Sequence, residues 1–329
     1  MAKPRVFLSR ELPPAVMAEL RERCDLTANP DSRVLSKAEL IAAATGMEGL
    51  LCLLTDTIDA DVLDIRPRLK VVSNYAVGFN NVDVPAATER GIPVTNTPGV
   101  LTDTTADFAF ALLMAAARRV AEGDRFTRAG KYTGWAPLLM LGGDIHGKTL
   151  GLVGAGRIGL AMARRARGFS MRVLYHDVYP APPDLAIELS LERVSLEELL
   201  AEADFVSIHA PYMPETHHLI GAPQLALMRS TAYLINTARG PLVDESALVE
   251  ALRTGRIAGA GLDVYENEPA LAPGLAELDN VALAPHAASA SLETRTKMGM
   301  LAVENLMAVL EGKRAPFTVN PEVYERKGR

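Results

Sequence analysis

Three polar residues in the last third of the chain have the types that bind and protonate a small anion: Arg239, Glu268 and His286. A guanidinium grips a carboxylate through two parallel N–H donors. An imidazolium can hand a proton to an oxygen on which negative charge develops. A carboxylate beside that imidazole favours its protonated form and fixes the ring tautomer. Singly, each has an ordinary reading. Arg239 could cap a helix or pair on the surface, Glu268 could be a solvated loop acid, and His286 could be a satisfied buried histidine. They become a set only if something nearby supplies electrons.

The stretch from Lys148 to Asp177 offers that source. Thr149 to Val153 is an apolar run of strand type, followed by Gly154, Gly156 and Gly159 in the spacing G-x-G-x-x-G. Gly154 permits the tight turn, Gly156 lets backbone approach a pyrophosphate, and Gly159 lets a helix lie close on the strand. Arg157 and Ile158 open that helix, where unpaired amides and the helix dipole favour a phosphate. Asp177 closes the next apolar run, eighteen residues past Gly159, where a carboxylate can accept ribose hydroxyls. The glycines alone are a weak signal, because glycine-rich turns are common. Strand before, helix after and acid at this distance together make a dinucleotide site. With a nicotinamide present, Arg239, Glu268 and His286 supply what reduction of a 2-keto acid requires.

The elements that must position these residues alternate between strand and helix. Val6–Leu8, Gly49–Leu54, Val71–Val72 and Pro93–Thr95 read as strands, and Pro14–Arg23, Ser36–Ala44, Asp59–Ile65 and Val84–Arg90 as helices. Such alternation implies a parallel sheet covered by helices. The loop Ala76 to Asn81 follows one of these strands and is either a plain connection or a source of outward amides. Pro98-Gly99 breaks the pattern as a hinge. A helix from Ala106 to about Arg119, apolar nearly all round, must be buried against a subunit partner or a domain core. Later strands at 205–208, 233–236, 259–263 and 281–284 lead into His209, into Thr237-Ala238-Arg239, and past Asp263 to His286. Ligands bind at such carboxyl ends in open α/β sheets. Ser195 to Glu198 fits a capping box, and Ser291 to Glu311 is an amphipathic helix that returns the chain to the first domain. Trp135, alone of its type and set in a Gly/Pro-rich stretch, reads locally as a packing plug.

A chain of 329 residues is about twice the usual single-domain size, so two domains are expected. A net charge of −6 argues against a nucleic-acid surface. No apolar run approaches the roughly 20 residues of a membrane span, and Met1 to Ser9 holds no signal-peptide core. Cys24 and Cys52 lack metal or redox spacing and read as reduced thiols of a cytoplasmic protein. The adjacent His217 and His218 read as loop residues, and no metal is expected.

Across nearly its whole length the chain resembles the D-isomer-specific 2-hydroxyacid dehydrogenase family, and within it glyoxylate/hydroxypyruvate reductases. The likeness rests on Leu50 to Asp56, Ala76-Val77-Gly78, Asn96 to Ala106, Trp135-Ala136-Pro137, Gly147 to Gly151, Asn236 to Gly240, Glu268-Pro269 and Pro285-His286. It implies an α/β fold of two doubly wound parallel-sheet domains. A Rossmann dinucleotide-binding domain (100–286) would be inserted into a discontinuous flavodoxin-like substrate domain (1–99 and 287–329). It also implies NAD(P)-dependent reduction of a small 2-keto acid to the D-2-hydroxy acid by a homodimer. Arg239 would clamp the substrate carboxylate, His286 would be the acid/base and Glu268 its partner. Thr237, Ala238 and Asp263 would bind the cofactor, Asp263 holding the carboxamide. Leu54, Val77, Gly78 and Trp135 would shape a small substrate pocket, with the Trp reaching in from a second subunit.

Two departures stand out. The family commonly continues His-Ile-Gly-Ser-Ala after the histidine, whereas this chain reads His286-Ala287-Ala288-Ser289-Ala290, which adds a methyl near the cofactor. Where similar reductases carry arginine after the second strand, this chain has Asp177-Val178. A carboxylate there repels a 2′-phosphate and no guanidinium is placed to hold one, so NAD(H) is expected ahead of NADP(H). Other substrates of the family (D-lactate, phosphoglycerate or phosphite) and a dinucleotide-sensing corepressor role are the alternatives. Turnover of NADH with glyoxylate separates an enzyme from a sensor.

Overall fold

The computed structural model describes residues 2–31, 33–65 and 67–325. The chain divides into two compact units, Met1–Leu101 with Ala290–Arg329, and Thr102–Ser289.

In unit 1 the strands are β1 (Arg5–Leu8), β2 (Asp25–Ala28), β3 (Gly49–Cys52), β4 (Val71–Asn74) and β5 (Val94–Thr95). Among the described residues they form a parallel sheet in the order β2-β1-β3-β4-β5, the flavodoxin-like order. Every residue of β3 and β4 is buried, which is why both read as continuous runs without alternation. β2 leaves no such trace in the sequence. It is an edge strand, and Asp25-Leu26-Thr27-Ala28 has only alternate residues half-buried. The helix Leu292–Leu310, capped by Ser291, belongs to this unit and lies on β3 and β4. The Ser73 hydroxyl donates to the Ala302 carbonyl at 2.9 Å, and a Cβ on Gly49 would meet Leu306 Cδ1 at 2.9 Å.

In unit 2 the strands are β6 (Thr149–Val153), β7 (Arg172–His176), β8 (Leu191–Arg193), β9 (Phe205–Ile208), β10 (Tyr233–Asn236), β11 (Gly259–Leu262) and β12 (Val281–Leu283). Their order is β12-β11-β10-β9-β6-β7-β8, parallel at each pairing. The chain reverses direction across the sheet between β6 and β9, so the crevice at their carboxyl ends is where this topology binds ligands. The apolar helix of the sequence reading runs Thr102–Ala117 and is a domain-core helix. It presses so closely on β11 that a Cβ on Gly261 would stand 3.0 Å from Leu112 Cβ. Ser195 opens the helix Leu196–Glu202 with the expected capping box. No helix among the described residues is long and apolar enough to cross a membrane.

Candidate active site

The glycine loop after β6 is closely packed at two of its three glycines. Gly154 sits at φ +101°, and a Cβ there would collide with the His209 carbonyl carbon at 2.7 Å. Gly159, inside the helix Arg157–Arg167, has no room either, since a Cβ would come 2.2 Å from the Gly154 oxygen. Gly156 faces open space. It caps that helix without a side-chain hydrogen bond, so the first amides point at nothing their own cap supplies. Gly156 and Arg157 are exposed and Ile158 is half-buried. This is a cradle a pyrophosphate can enter.

Asp177 stands at the end of β7 and braces the loop. Its Oδ2 accepts the Ala155 amide at 2.8 Å and its Oδ1 the Tyr179 amide at 3.0 Å. Each oxygen keeps a lone pair for a ribose hydroxyl. One guanidinium does lie at this strand end, that of Arg193. Its Nη2 donates to the carbonyls of Asp177 and Val178 at 3.0 and 3.3 Å. Arg193 ends β8, in register with Tyr175 of β7. That short edge strand went unrecognised, and no spacing rule connects 193 to 177 without it.

Beyond β10, Asn236 shapes the turn. Its Oδ1 accepts the Ala238 amide at 3.0 Å and its Nδ2 donates to the Arg239 carbonyl at 2.9 Å. The Thr237 hydroxyl is buried with no hydrogen-bond partner among the described residues. A buried polar atom left so is costly unless a ligand completes it. With the open Gly156 and the uncapped helix start, it fits a dinucleotide along these strand ends.

Arg239, half-buried, donates Nη1 to the Ala238 carbonyl at 2.7 Å. Burial lowers its pKa, and the charge of Glu268 acts in the opposite sense. Gly240 lets this turn touch the segment that carries Glu268, for a Cβ there would fall 1.9 Å from the Tyr265 carbonyl carbon. Glu268 Oε1 accepts the Tyr265 amide at 3.0 Å, and Oε2 lies 2.9 Å from His286 Nδ1. Burial pushes the Glu268 carboxyl up, but the bond and charge of His286, helped by the Tyr265 amide and Arg239, leave it below the usual carboxylate range.

His286 itself adopts φ +55°, rare for a residue with a side chain. Asp263, wholly buried, holds it there. The Asp263 carbonyl accepts the His286 amide at 2.8 Å, and its two carboxylate oxygens accept the amides of Ala287 and Ala288 at 2.7 and 2.8 Å. Burial raises the pKa of Asp263 against the pull of those amides. Asp263 is thus a brace for the 286–288 backbone, a role the sequence reading did not foresee. Ala288 is buried with its amide on Asp263.

The structure therefore brings Arg239, Glu268, His286 and Asp263 together in unit 2. Leu54, Val77 and Gly78 belong to unit 1, past the ends of β3 and β4. The carbonyls of Val77 and Gly78 accept the amides of Asn96 at 2.7 Å and Asn74 at 2.9 Å, which stiffens that loop. Trp135 is not a packing plug within its own chain, for it is 83 % exposed in the irregular stretch after the helix Val120–Arg128.

Residues 110–288 match the family described as D-isomer specific 2-hydroxyacid dehydrogenase, NAD binding domain. A glyoxylate reductase of Korarchaeum cryptofilum is 54 % identical over 326 residues, covering 98 % of either chain. A solved protein of Thermus thermophilus superposes with a TM-score of 0.90 at 51 % identity, over 96 % of this chain and 99 % of that one. The NADPH-dependent glyoxylate/hydroxypyruvate reductase of Sinorhizobium meliloti, solved with NADP and malonate, gives 0.84 at 35 % identity, over 97 % and 98 %.

Proposed function

This chain belongs to the D-isomer specific 2-hydroxyacid dehydrogenase family, and from that premise we propose that it reduces glyoxylate or hydroxypyruvate to the D-2-hydroxy acid with a nicotinamide dinucleotide. The observation that carries the reading is the 2.9 Å contact between His286 Nδ1 and Glu268 Oε2, beside a half-buried Arg239. When bound, the reduced nicotinamide supplies the hydride. The guanidinium of Arg239, already partly stripped of water, clamps the substrate carboxylate. With Nδ1 engaged by Glu268, Nε2 of His286 is the nitrogen free to deliver a proton to the former keto oxygen. Glu268 stays anionic and stabilises the imidazolium until the proton leaves. Leu54, Val77 and Gly78 are proposed substrate contacts, and Gly154, Gly156, Arg157, Ile158, Gly159, Asp177, Thr237, Ala238 and Asp263 the cofactor set.

NAD(H) is proposed as the preferred cofactor, because the Asp177 carboxylate opposes a 2′-phosphate, with NADP(H) admitted through Arg193. A homodimer is proposed from the exposed apolar stretch that includes Trp135 at 83 %, Leu138 at 79 % and Leu141 at 60 %. Such a patch is costly in water unless a second copy covers it. Light scattering should report a dimer that Leu138→Ser weakens. The two cysteines are buried free thiols, which suits a reducing compartment such as the cytoplasm.

The test of the reaction is a panel of initial rates for glyoxylate, hydroxypyruvate, pyruvate and phosphohydroxypyruvate with NADH and with NADPH. The first two should lead with NADH. A lead by pyruvate or phosphohydroxypyruvate would remove the substrate assignment, and binding of NADH without turnover on any acid would remove the enzyme reading altogether.

A further inference from the structure

We propose that unit 2 carries a transition-metal site of the kind that takes Zn²⁺, built from His217, His218 and Glu266. None of the three is used in the reaction above. The sequence shows only two adjacent histidines, but the fold brings Glu266 to them. One ligand atom from each residue lies within 4.8 Å of the others. Two imidazoles and a carboxylate form the N,N,O donor set that zinc accepts, with a fourth position left for water.

The His217 ring and the Glu266 carboxylate are held by partners outside the cluster, and the backbone of His218 is fixed as well. His218 Nε2 lies 2.7 Å from Glu266 Oε1. The His218 amide is fixed on the Pro241 carbonyl at 2.8 Å, with the residue at φ +50°. The Glu266 amide donates to Glu245 Oε1 at 3.1 Å, and the Glu245 amide returns to Glu266 Oε2 at 3.4 Å. Nδ1 of His217 faces the Tyr212 hydroxyl at 3.4 Å, which leaves Nε2 as its ligand atom. A plain His218–Glu266 ion pair would need neither His217 nor its orientation. Yet the His217 ring stacks on that of His218 with centroids 3.9 Å apart, which holds the second imidazole beside the first. A histidine nitrogen must be unprotonated to hold Zn²⁺, so binding should weaken as pH falls.

The test is calorimetric titration of the full chain with Zn²⁺, with retained metal counted by elemental analysis after dialysis. A single Zn²⁺ per chain is expected, bound at least about tenfold more weakly by Glu266→Gln and by His218→Ala. His146→Ala, which removes an exposed histidine elsewhere, should leave the affinity unchanged. Zinc should also raise the melting temperature of the parent chain and not that of Glu266→Gln. This last variant keeps the side-chain shape, so it carries the test even if His218→Ala fails to fold. No retained zinc, or equal affinity in Glu266→Gln and the parent, would mean adventitious binding and overturn the site.

Discussion

The carboxylate of Asp263 accepts the backbone amide of Ala288 at 2.8 Å, two residues past the imidazole it serves. Its other oxygen takes the Ala287 amide at 2.7 Å and its carbonyl takes the His286 amide at 2.8 Å. Three consecutive amides thus converge on one buried residue, and a left-handed His286 is the result. Asp263→Ala strands the buried Ala288 amide, at about 1–3 kcal/mol, and leaves the half-buried Ala287 amide to solvent. The urea midpoint should fall, and kcat for glyoxylate reduction should fall further than stability alone explains. A folded variant with parental kcat would show that His286 holds its place unaided.

Arg239→Ala removes the proposed charge-assisted contact to the substrate carboxylate, an expected loss of about 1.5–3 kcal/mol, or roughly tenfold to 150-fold in kcat/KM. Arg239→Lys should recover only part of it, because an ammonium lacks the planar fork. Steady-state rates with NADH and glyoxylate decide the matter, and an unchanged kcat/KM in Arg239→Ala removes the clamp.

Glu268 gives a prediction with a pH sign. Its folded pKa lies below the ordinary 4.5, so its contribution is present above that value and is lost as pH falls through the lowered one. Glu268→Gln keeps the shape but not the charge. It should reduce kcat at neutral pH and flatten the loss of stability on the acid side of 4.5. Parallel acid unfolding curves for the two proteins would take Glu268 out of the pair.

The fold was legible where residues repeat in a pattern that local physics requires. Buried parallel strands such as β3 and β6 declare themselves as apolar runs, and Gly154 and Gly159 mark places where no Cβ fits. Strand-end positions of Arg239, Asp263 and His286 followed from the same pattern. What stayed hidden depends on pairing between distant segments. β2 and β8 are half-wet edges with too few apolar residues to read, and with β8 went Arg193. The brace from Asp263 to Ala287 and Ala288, and the approach of Glu266 to His218, exist only once β11 and the loop beyond it are placed. Trp135 was misread locally because a tryptophan near proline and glycine usually packs, and here its own chain leaves it bare.

Cofactor choice should turn on Asp177 and Arg193 in opposite senses. Asp177→Ser removes the charge that opposes a 2′-phosphate and should raise kcat/KM with NADPH relative to NADH. It should also loosen the glycine loop, since Asp177 Oδ2 holds the Ala155 amide. Arg193→Ala should depress the NADPH value by about tenfold, at the low end for a charge-assisted bond because the side chain is exposed. The NADH value should barely move. Ratios that stay put in both variants would mean that neither group meets the ribose.

His209 predicts how the dinucleotide loop responds to acid. Its backbone presses on Gly154, and its Nε2 lies 2.9 Å from the Ser207 hydroxyl. Burial lowers its pKa from 6.5 to about 4, although an edge of the residue keeps some exposure. Between those values the unfolded chain binds the proton that the folded chain refuses. Stability is therefore full above 6.5 and declines as pH falls towards 4. The decline is at most about 3 kcal/mol, and less to the extent that the exposed edge is hydrated. Urea midpoints at about pH 7 and about pH 5 should differ in the parent chain and differ less in His209→Asn. Saturating NADH should raise the midpoint at both pH values and leave the gap in place, because the ligand acts on the folded chain and the proton on the unfolded one. Equal pH dependence in parent and variant would show that the imidazole at 209 takes up its proton without leaving the fold.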